Sequence, residues 1–464
     1  MPKLSLYTIV LYFFLSGAVS ARAQTLNLRT AIETALKNYG TIKAKENYAN
    51  ASGEGIIQSR REYLPNFTLS AQQSFGTING QNGPLAALGG NVASSGPGLS
   101  EQNWNAAFGA LYLSNINWDF FTFGRAKQRI NVSKAVFKRD TEDLEQEKFQ
   151  HQIRVSAAYL NLVAAQRLTR SQKNNLERAI IFKNNATVRA ANGLIAGVDS
   201  SLASAEVSSA RIAFTKARDI EQEQANKLGI LMGINVTELT VDTGSINHVP
   251  KLLSTADTST DLSTHPVLKF YRDRVALSNE QMDYYKKLMY PTFTFIGVLQ
   301  GRGSGFRADY LLNQNEFTRN YADGITPTRT NYLFGIGLSW NLTSILRNTP
   351  QVRAQRYISN GLENEYELVN QQFHAQLALA DNKIKNAMAN YLEAPVQVKA
   401  ASDAYLQKSV LYKNGLTTIV DLTQALYTLN RAETDRDIAY TNVWQAVLLK
   451  SAALGDFNVF INEF

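Results

Sequence analysis

The sequence has 464 residues, of which 44% are hydrophobic and 19% charged, and its mean hydropathy is −0.22. This composition excludes a disordered chain and a protein built from several transmembrane helices. Lys and Arg exceed Asp and Glu by 47 to 39 without forming a basic stripe, which argues against nucleic-acid binding, and the absence of cysteine excludes disulfides and thiolate metal sites.

The N-terminus has the pattern of a secretory leader. Lys3 precedes an apolar run over 4–19, and Ala21-Arg22-Ala23 forms a small-x-small cleavage site. We therefore predict a signal peptide over residues 1–23. The alternative is a membrane anchor, but the run is shorter than the roughly 20 residues that a span needs. No later stretch approaches 18 uninterrupted apolar residues, so any further membrane crossing must use β-strands.

The first repeat, residues 24–233, begins with a helix predicted from about Leu28 to Leu64 and continues with two strands at about 65–76 and 106–121. In both strands, apolar and polar residues alternate with period two. Each run is near the roughly 10 residues of a tilted transmembrane strand, and Trp118 near a strand end suits an interfacial aromatic girdle. A soluble sandwich would alternate as well, but it needs a second sheet to cover its aromatic face.

A long helical hairpin follows the strands, over about 125–233, with its tip near 192–199. The outgoing helix has roughly 67 residues, which corresponds to about 100 Å. The returning helix is only about half as long, so a second short helix from His265 to Tyr290 is expected to continue its line. Between them, residues 234–264 are rich in Thr, Ser and Asp, and we predict an equatorial linker there.

The second repeat, 265–455, has predicted strands at about 291–300 and 331–343 and a helical hairpin over about 347–454 with its tip near 414–421. The long helix has a heptad seam from Phe373 to Ala401, typical of a coiled coil. Pro395 lies inside it and is expected to kink or break it. Residues 456–464 are predicted to be a C-terminal tail.

The two halves are copies of one plan. Leu64-Pro65-Asn66-Phe67 recurs as Tyr290-Pro291-Thr292-Phe293 at an offset of 226, and Asn192-Gly193-Leu194 recurs as Asn414-Gly415-Leu416 at an offset of 222. Each repeat is thus a strand pair joined to a helical hairpin. Four strands cannot close a barrel, because about eight is the practical minimum, and their free edges need partners. The chain is therefore predicted to form a homo-oligomer, and three copies give the smallest open barrel, of twelve strands.

These features resemble the TolC-like outer membrane efflux proteins of Gram-negative bacteria. The most specific signature is Tyr412-Lys413-Asn414-Gly415-Leu416 followed by Thr418-Ile419-Val420-Asp421-Leu422. The resemblance implies a mainly α fold with a transmembrane β-barrel: a homotrimer with one 12-stranded barrel in outer-membrane lipid and a 12-helix periplasmic tunnel. It also implies two partners, a periplasmic adaptor protein and an inner-membrane transporter of the RND or ABC type.

The resemblance further implies a gate at the periplasmic tip. Residues matching Asp421 and Asp199 line the constriction in the family, and the tyrosine matching Tyr412 helps to hold it shut. Gln424 stands where the family has a second acidic residue and Thr417 where it has a basic one, which puts a salt-bridge lock in doubt. The simpler alternative is that Asp421 stabilises the start of its helix, and both roles are compatible.

Four tip residues match the motif through which relatives meet their adaptor: Gly193, Leu194, Gly415 and Leu416. The alternative is an ordinary hairpin turn in which Gly supplies a positive φ.

The predicted function is passive export, most simply of small molecules or drugs, in the outer membrane with a helical portion in the periplasm. A type I protein secretion duct is an alternative on the same scaffold, and a secreted structural coiled coil is an alternative of another class. We predict no enzymatic activity, cofactor or metal site, since His151 and His374 occupy equivalent repeat positions on helix seams without a catalytic arrangement around them.

Overall fold

The structure is a computed structural model that describes residues 25–80, 98–235, 239–250 and 261–464. The predicted signal peptide, most of the first strand-to-strand loop and much of the predicted linker lie outside these ranges. The chain divides into two compact units. The first comprises the chain up to Asn50, Lys138–Val275 and Gly361–Phe464, and the second comprises Ala51–Phe137 and Ala276–Asn360.

The elements follow the duplicated order expected from the sequence. The helices are α1 (Leu28–Asn38), α2 (Gly40–Arg61), α3 (Arg125–Ala191), α4 (Gly197–Met232), α5 (Pro266–Lys287), α6 (Tyr321–Ile325), α7 (Thr343–Lys413), α8 (Ile419–Leu454) and α9 (Asn458–Ile461). The strands are β1 (Asn66–Gly76), β2 (Ala107–Phe121), β3 (Thr292–Ser304) and β4 (Arg329–Ser339), and short 3-10 helices cover Ser245–Asn247 and Ala308–Leu311. The prediction of a mainly helical chain with two strand pairs is confirmed.

In the second unit the four strands form one antiparallel sheet in the order β1-β2-β3-β4. The strand pairs of the two repeats are therefore neighbours, and β1 and β4 are the outer strands. Directly paired residues project from the same face of a sheet. One face, called the apolar face below, carries Phe67, Leu69, Phe75, Phe108, Tyr112, Ile116, Phe295, Leu299, Tyr332, Phe334 and Ile336. The opposite, polar face carries Asn, Ser, Thr and Gln with a few aliphatic residues.

The connection from β3 to β4 folds onto the apolar face. The Tyr321 ring packs edge-on against Phe108 at 5.1 Å, and its hydroxyl donates to Gln73 Oε1 over 2.6 Å, across β2. Gly303 permits this approach, because a Cβ there would lie 2.8 Å from the carbonyl oxygens of Gly324 and Thr326. The segment 319–327 therefore covers the end of the apolar face.

In both repeats, a tryptophan near a strand end donates a hydrogen bond to the connection between a helix and the following strand. Trp118 Nε1 donates to the Tyr63 carbonyl over 2.8 Å, and Trp340 Nε1 donates to the Met289 carbonyl over 3.0 Å. The two donor–acceptor pairs occupy matching places in the duplicated sequence. Each indole thus fixes the chain two residues before the proline that precedes a strand.

Two helix predictions differ from the structure. The helix expected from about Leu28 to Leu64 is interrupted at Tyr39, whose ψ of 122° is extended, and it ends at Arg61. At Pro395, where a kink or a break was expected, α7 runs unbroken for 71 residues, so the break does not occur. Proline removes only one hydrogen bond from a long helix, and in α7 the neighbouring turns continue on both sides.

In the first unit the main core joins α1, α3, α4 and α8 around Tyr159 and Trp444, both fully buried. The predicted C-terminal tail is part of this core: Phe460 in α9 is fully buried, and the Phe464 ring lies 5.0 Å from that of Trp444. No helix among the described residues is long and apolar enough to cross a lipid bilayer.

Candidate functional site

The two hairpin tips end in the same glycine turn. Gly193 has φ +73° and Gly415 φ +76°. The Leu194 N–H donates to the Arg189 carbonyl over 2.9 Å, and the Leu416 N–H donates to the Leu411 carbonyl over 2.9 Å. This is the Schellman arrangement, in which the glycine adopts the left-handed conformation and the following amides satisfy the last helical carbonyls. The ordinary turn geometry is thus present in both tips.

Both tip leucines lie open to solvent, with 66% of Leu194 and 72% of Leu416 exposed. Neither leucine belongs to a hydrophobic core among the residues that the structure describes. Exposed apolar residues at a tip are available for a partner, but adaptor contact by Gly193, Leu194, Gly415 and Leu416 stays a prediction.

Asp421 forms a capping box at the start of α8. The Asp421 N–H donates to Thr418 Oγ1, and the Asp421 carboxylate accepts from the Thr418 N–H and hydroxyl and from the Thr417 hydroxyl over 2.8 Å. These hydrogen bonds, the one from Thr417 first, lower the pKa of Asp421, and the charge of Lys408 acts in the same direction. The carboxylate is exposed and therefore stays ionised while it caps the helix.

The first repeat builds its tip differently. Helix α4 begins after Ala196, which provides no side-chain cap, and Asp199 lies in the first turn. The Asp199 carboxylate lies close enough to Tyr412 to help raise the pKa of that tyrosine. The charge of Asp199 thus acts on Tyr412, and the gate role of both residues stays a prediction.

Tyr412 itself is buried, with 5% of its surface exposed, in a cluster of Phe182, Ala186, Ala203, Ile419 and Leu422. Its ring packs edge-on against Phe182 at 5.6 Å. Burial is the main cause that raises the pKa of Tyr412. Among the described residues, its hydroxyl has no hydrogen-bond partner, so packing rather than a hydroxyl bond holds this ring.

Arg189 is a tip residue that the sequence did not single out. Its Nη1 donates to the carbonyls of Tyr412 over 2.5 Å and Lys413 over 3.1 Å, and its guanidinium lies 5.3 Å from the centre of the Tyr412 ring. The cation thereby satisfies the C-terminal carbonyls of α7. Comparing the repeats would have shown an asymmetry, because the position 222 residues later is Leu411.

Gln424 lies one turn after Asp421 on an exposed face of α8. The gate candidates therefore fall into two groups. Tyr412 contacts Arg189 and is affected by the charge of Asp199, whereas Asp421 and Gln424 are solvent-exposed. Within the described ranges, no three His, Cys, Asp or Glu side chains are grouped to hold a metal.

Comparisons with known proteins agree with this architecture. Residues 31–233, which hold the first repeat, match the family model for outer membrane efflux proteins. Over this part of its length, the chain is similar to the outer membrane efflux protein family. No curated protein matches it significantly in sequence.

The fold of the chain matches several solved structures. The outer membrane protein VceC of Vibrio cholerae is 16% identical, with a TM-score of 0.71 over 92% of this chain and 96% of VceC. CusC is 13% identical, with a TM-score of 0.74 over 92% of each chain. The CmeC channel of Campylobacter jejuni is 16% identical, with a TM-score of 0.71 over 92% of this chain and 85% of CmeC. At these identities the likeness establishes the fold.

Proposed function

We propose that the protein is the outer-membrane channel of a tripartite export system. It conducts substrates passively, with its sheet in outer-membrane lipid and its helices in the periplasm. The observation behind this proposal is the sheet: its four antiparallel strands leave large apolar side chains such as Phe67, Phe334 and Ile336 uncovered, with 61% to 68% of each exposed. A water-soluble protein would cover such a face.

The two outer strands explain why a single copy is insufficient. The outer edges of β1 and β4 leave backbone N–H and C=O groups without strand partners in a lone subunit. Such edges are not tolerated in lipid, so further copies must pair with them until the barrel closes. Three subunits give twelve strands and an open lumen. The channel is thus a homotrimer that docks with a periplasmic adaptor and an inner-membrane pump, for efflux of small molecules.

Membrane extraction tests the channel proposal. The full chain, expressed with its leader in a Gram-negative host, should sediment with outer membranes, resist washing with urea and salt, and require detergent for release. Chemical cross-linking in detergent should end at a species of three subunits. A monomeric protein that stays in solution without detergent contradicts the proposal and favours a secreted coiled coil.

For the gate, the proposed arrangement has three copies of the Asp421 carboxylate around the periplasmic constriction. Its exposure and its low pKa keep the charge available there, while Asp199, Tyr412 and Arg189 join the tips of the two repeats. A ring of carboxylates in a narrow pore favours cations and binds divalent ions. The Asp421 carboxylate can serve both the capping box and the gate. Its hydrogen bonds to Thr417 and Thr418 all use Oδ2, so Oδ1 stays open to water.

Conductance separates the gate role from the capping role. Asp421→Asn should lower the cation preference of single channels and weaken their block by divalent ions several-fold, because the ring loses its charge. Thr418→Ala is the matched control, since it removes the capping hydroxyl and keeps the carboxylate. If Asp421→Asn retains wild-type selectivity and block, or if Thr418→Ala alters both equally, Asp421 acts only as a cap.

The tip leucines are the proposed adaptor contacts. Leu194 and Leu416 follow equivalent glycines and are both exposed. With two tips in each subunit, a trimer would present six exposed leucine side chains to the adaptor hairpins. Full burial of one such leucine side chain against a partner is favourable by about 1.5 to 3 kcal/mol.

A further inference from the structure

The sheet carries an unusual pair of like charges. The four strands contain only three charged residues, Asp119, Arg302 and Arg329. Arg302 of β3 and Arg329 of β4 are direct partners in the register. Side chains at such positions start about 5 Å apart, and like charges directly opposite each other destabilise the pairing. Sequence reading did not connect these residues, which are 27 positions apart.

The register places both guanidinium groups on the polar face. Gly301 and Gly303, the neighbours of Arg302 in β3, lie under the segment 319–327 that covers the apolar face. Arg302 therefore projects from the opposite side, and Arg329 shares that side because the two are paired. Both arginines are exposed, and the next pair along the same face is Gln300 with Asn331. The two cations thus lie beside two amides on an open surface.

No acidic side chain among the described residues compensates this charge. Neither Arg302 nor Arg329 has a carboxylate within 4.0 Å in the described part of the chain, although Arg307 in the adjoining connection pairs with Glu316 at that distance. Residues 81–97, which lie between β1 and β2 in the sequence, contain no Asp or Glu. The third strand charge, Asp119, is bound by the Thr294 hydroxyl and lies eight residues along β2 from the partner of Arg302, about 27 Å away.

We propose that Arg302 and Arg329 form an anion-binding site on the lumen wall, near the outer mouth of the channel. This inference rests on the proposed channel, in which the polar face lines the lumen. Two guanidinium forks on neighbouring strands match a di- or tricarboxylate, or a phosphate, by paired hydrogen bonds. Three subunits repeat the site around the pore, so the outer mouth attracts anions, opposite in sign to the Asp421 ring.

Citrate is a suitable probe because it carries three carboxylates, which can each accept paired hydrogen bonds from a guanidinium group. Calorimetric titration of citrate into the detergent-solubilised full chain at low ionic strength should show binding. Binding should weaken roughly tenfold in the double variant Arg302→Gln/Arg329→Gln and partly in each single variant, because charge-assisted hydrogen bonds are lost. Arg307→Gln, which removes an arginine already paired with Glu316, should leave binding unchanged.

The same samples distinguish this inference from the proposed function. Citrate binding that is absent in the wild type, or equal in the wild type and the double variant, overturns the anion site while the cross-linked trimer still supports the channel. A monomeric wild type overturns the channel and the lumen site together. Single variants that retain the cross-linked trimer show that any loss of binding comes from the removed charge.

Discussion

At the scale of single residues, His265 shows how burial assigns a structural role to a titratable group. The side chain is fully buried, its Nδ1 accepts from the Val267 N–H over 3.1 Å, and its Nε2 donates to the Ala452 carbonyl over 3.1 Å. The neutral ring thereby caps the start of α5 and ties it to the end of α8. Burial lowers the pKa of His265 to about 4.

This pKa predicts that acid destabilises the protein. The ordinary pKa of 6.5 applies to the unfolded chain, so between about 6.5 and about 4 the unfolded state binds the proton and the folded state does not. The contribution of the neutral ring is therefore complete above pH 6.5 and is lost as the pH falls towards 4, up to about 3 kcal/mol. Burial lowers the pKa of His151 as well, which acts in the same direction.

Thermal unfolding at pH 7.5 and pH 5 checks this prediction. His265→Asn should reduce the loss of stability between the two pH values, because asparagine can cap a helix but does not titrate. His374→Asn is the control, since His374 is exposed on α7. An equal pH effect in His265→Asn and the wild type would show that another group causes the acid sensitivity.

At the scale of elements, left-handed glycines end four of the long helices, and their surroundings differ. Gly455 after α8 has φ +73° and Gly415 after α7 has φ +76°. A Cβ added to Gly455 would lie 2.6 Å from the His265 ring, whereas the nearest atom to one on Gly415 is Arg189 Nη2 at 3.9 Å. Of these two glycines, Gly455 alone combines a conformational need with a packing need.

The different surroundings of the two glycines predict that alanine destabilises the protein more at Gly455 than at Gly415. Gly415→Ala should cost about 1 to 2 kcal/mol of unfolding free energy, the strain of a left-handed alanine. Gly455→Ala should cost about 1 to 3 kcal/mol more, because the methyl group overlaps the imidazole. Chemical unfolding of the wild type and both variants in detergent measures these losses of unfolding free energy. Equal losses would show that the contact between His265 and Gly455 relaxes freely.

At the scale of the whole molecule, the open sheet decides the assembly. Its order places β1 and β4 at the two edges, and its register places aromatic residues of both repeats on one face. A lone subunit therefore exposes unpaired strand edges and an apolar surface together. When several copies close a barrel in lipid, the strand edges pair with those of the neighbouring copies and the apolar surface contacts lipid. This is the argument for a trimeric channel. The segment 319–327 shortens the lipid-facing surface at one end, and it keeps the polar face with Arg302 and Arg329 open.

The sequence by itself determined the class of fold and the resemblance to a family, because these depend on local and repeated patterns. Period two in Phe67 to Phe75 gives a strand, heptads from Phe373 give a long helix, and one offset relates both halves. The tertiary structure alone decided what meets across the chain: Arg189 on the carbonyls of Tyr412 and Lys413, the pairing of Arg302 with Arg329, and the C-terminal aromatics in the core. These contacts join residues that are distant in sequence, and no local pattern encodes which side chains will be neighbours once strands register and helices pack.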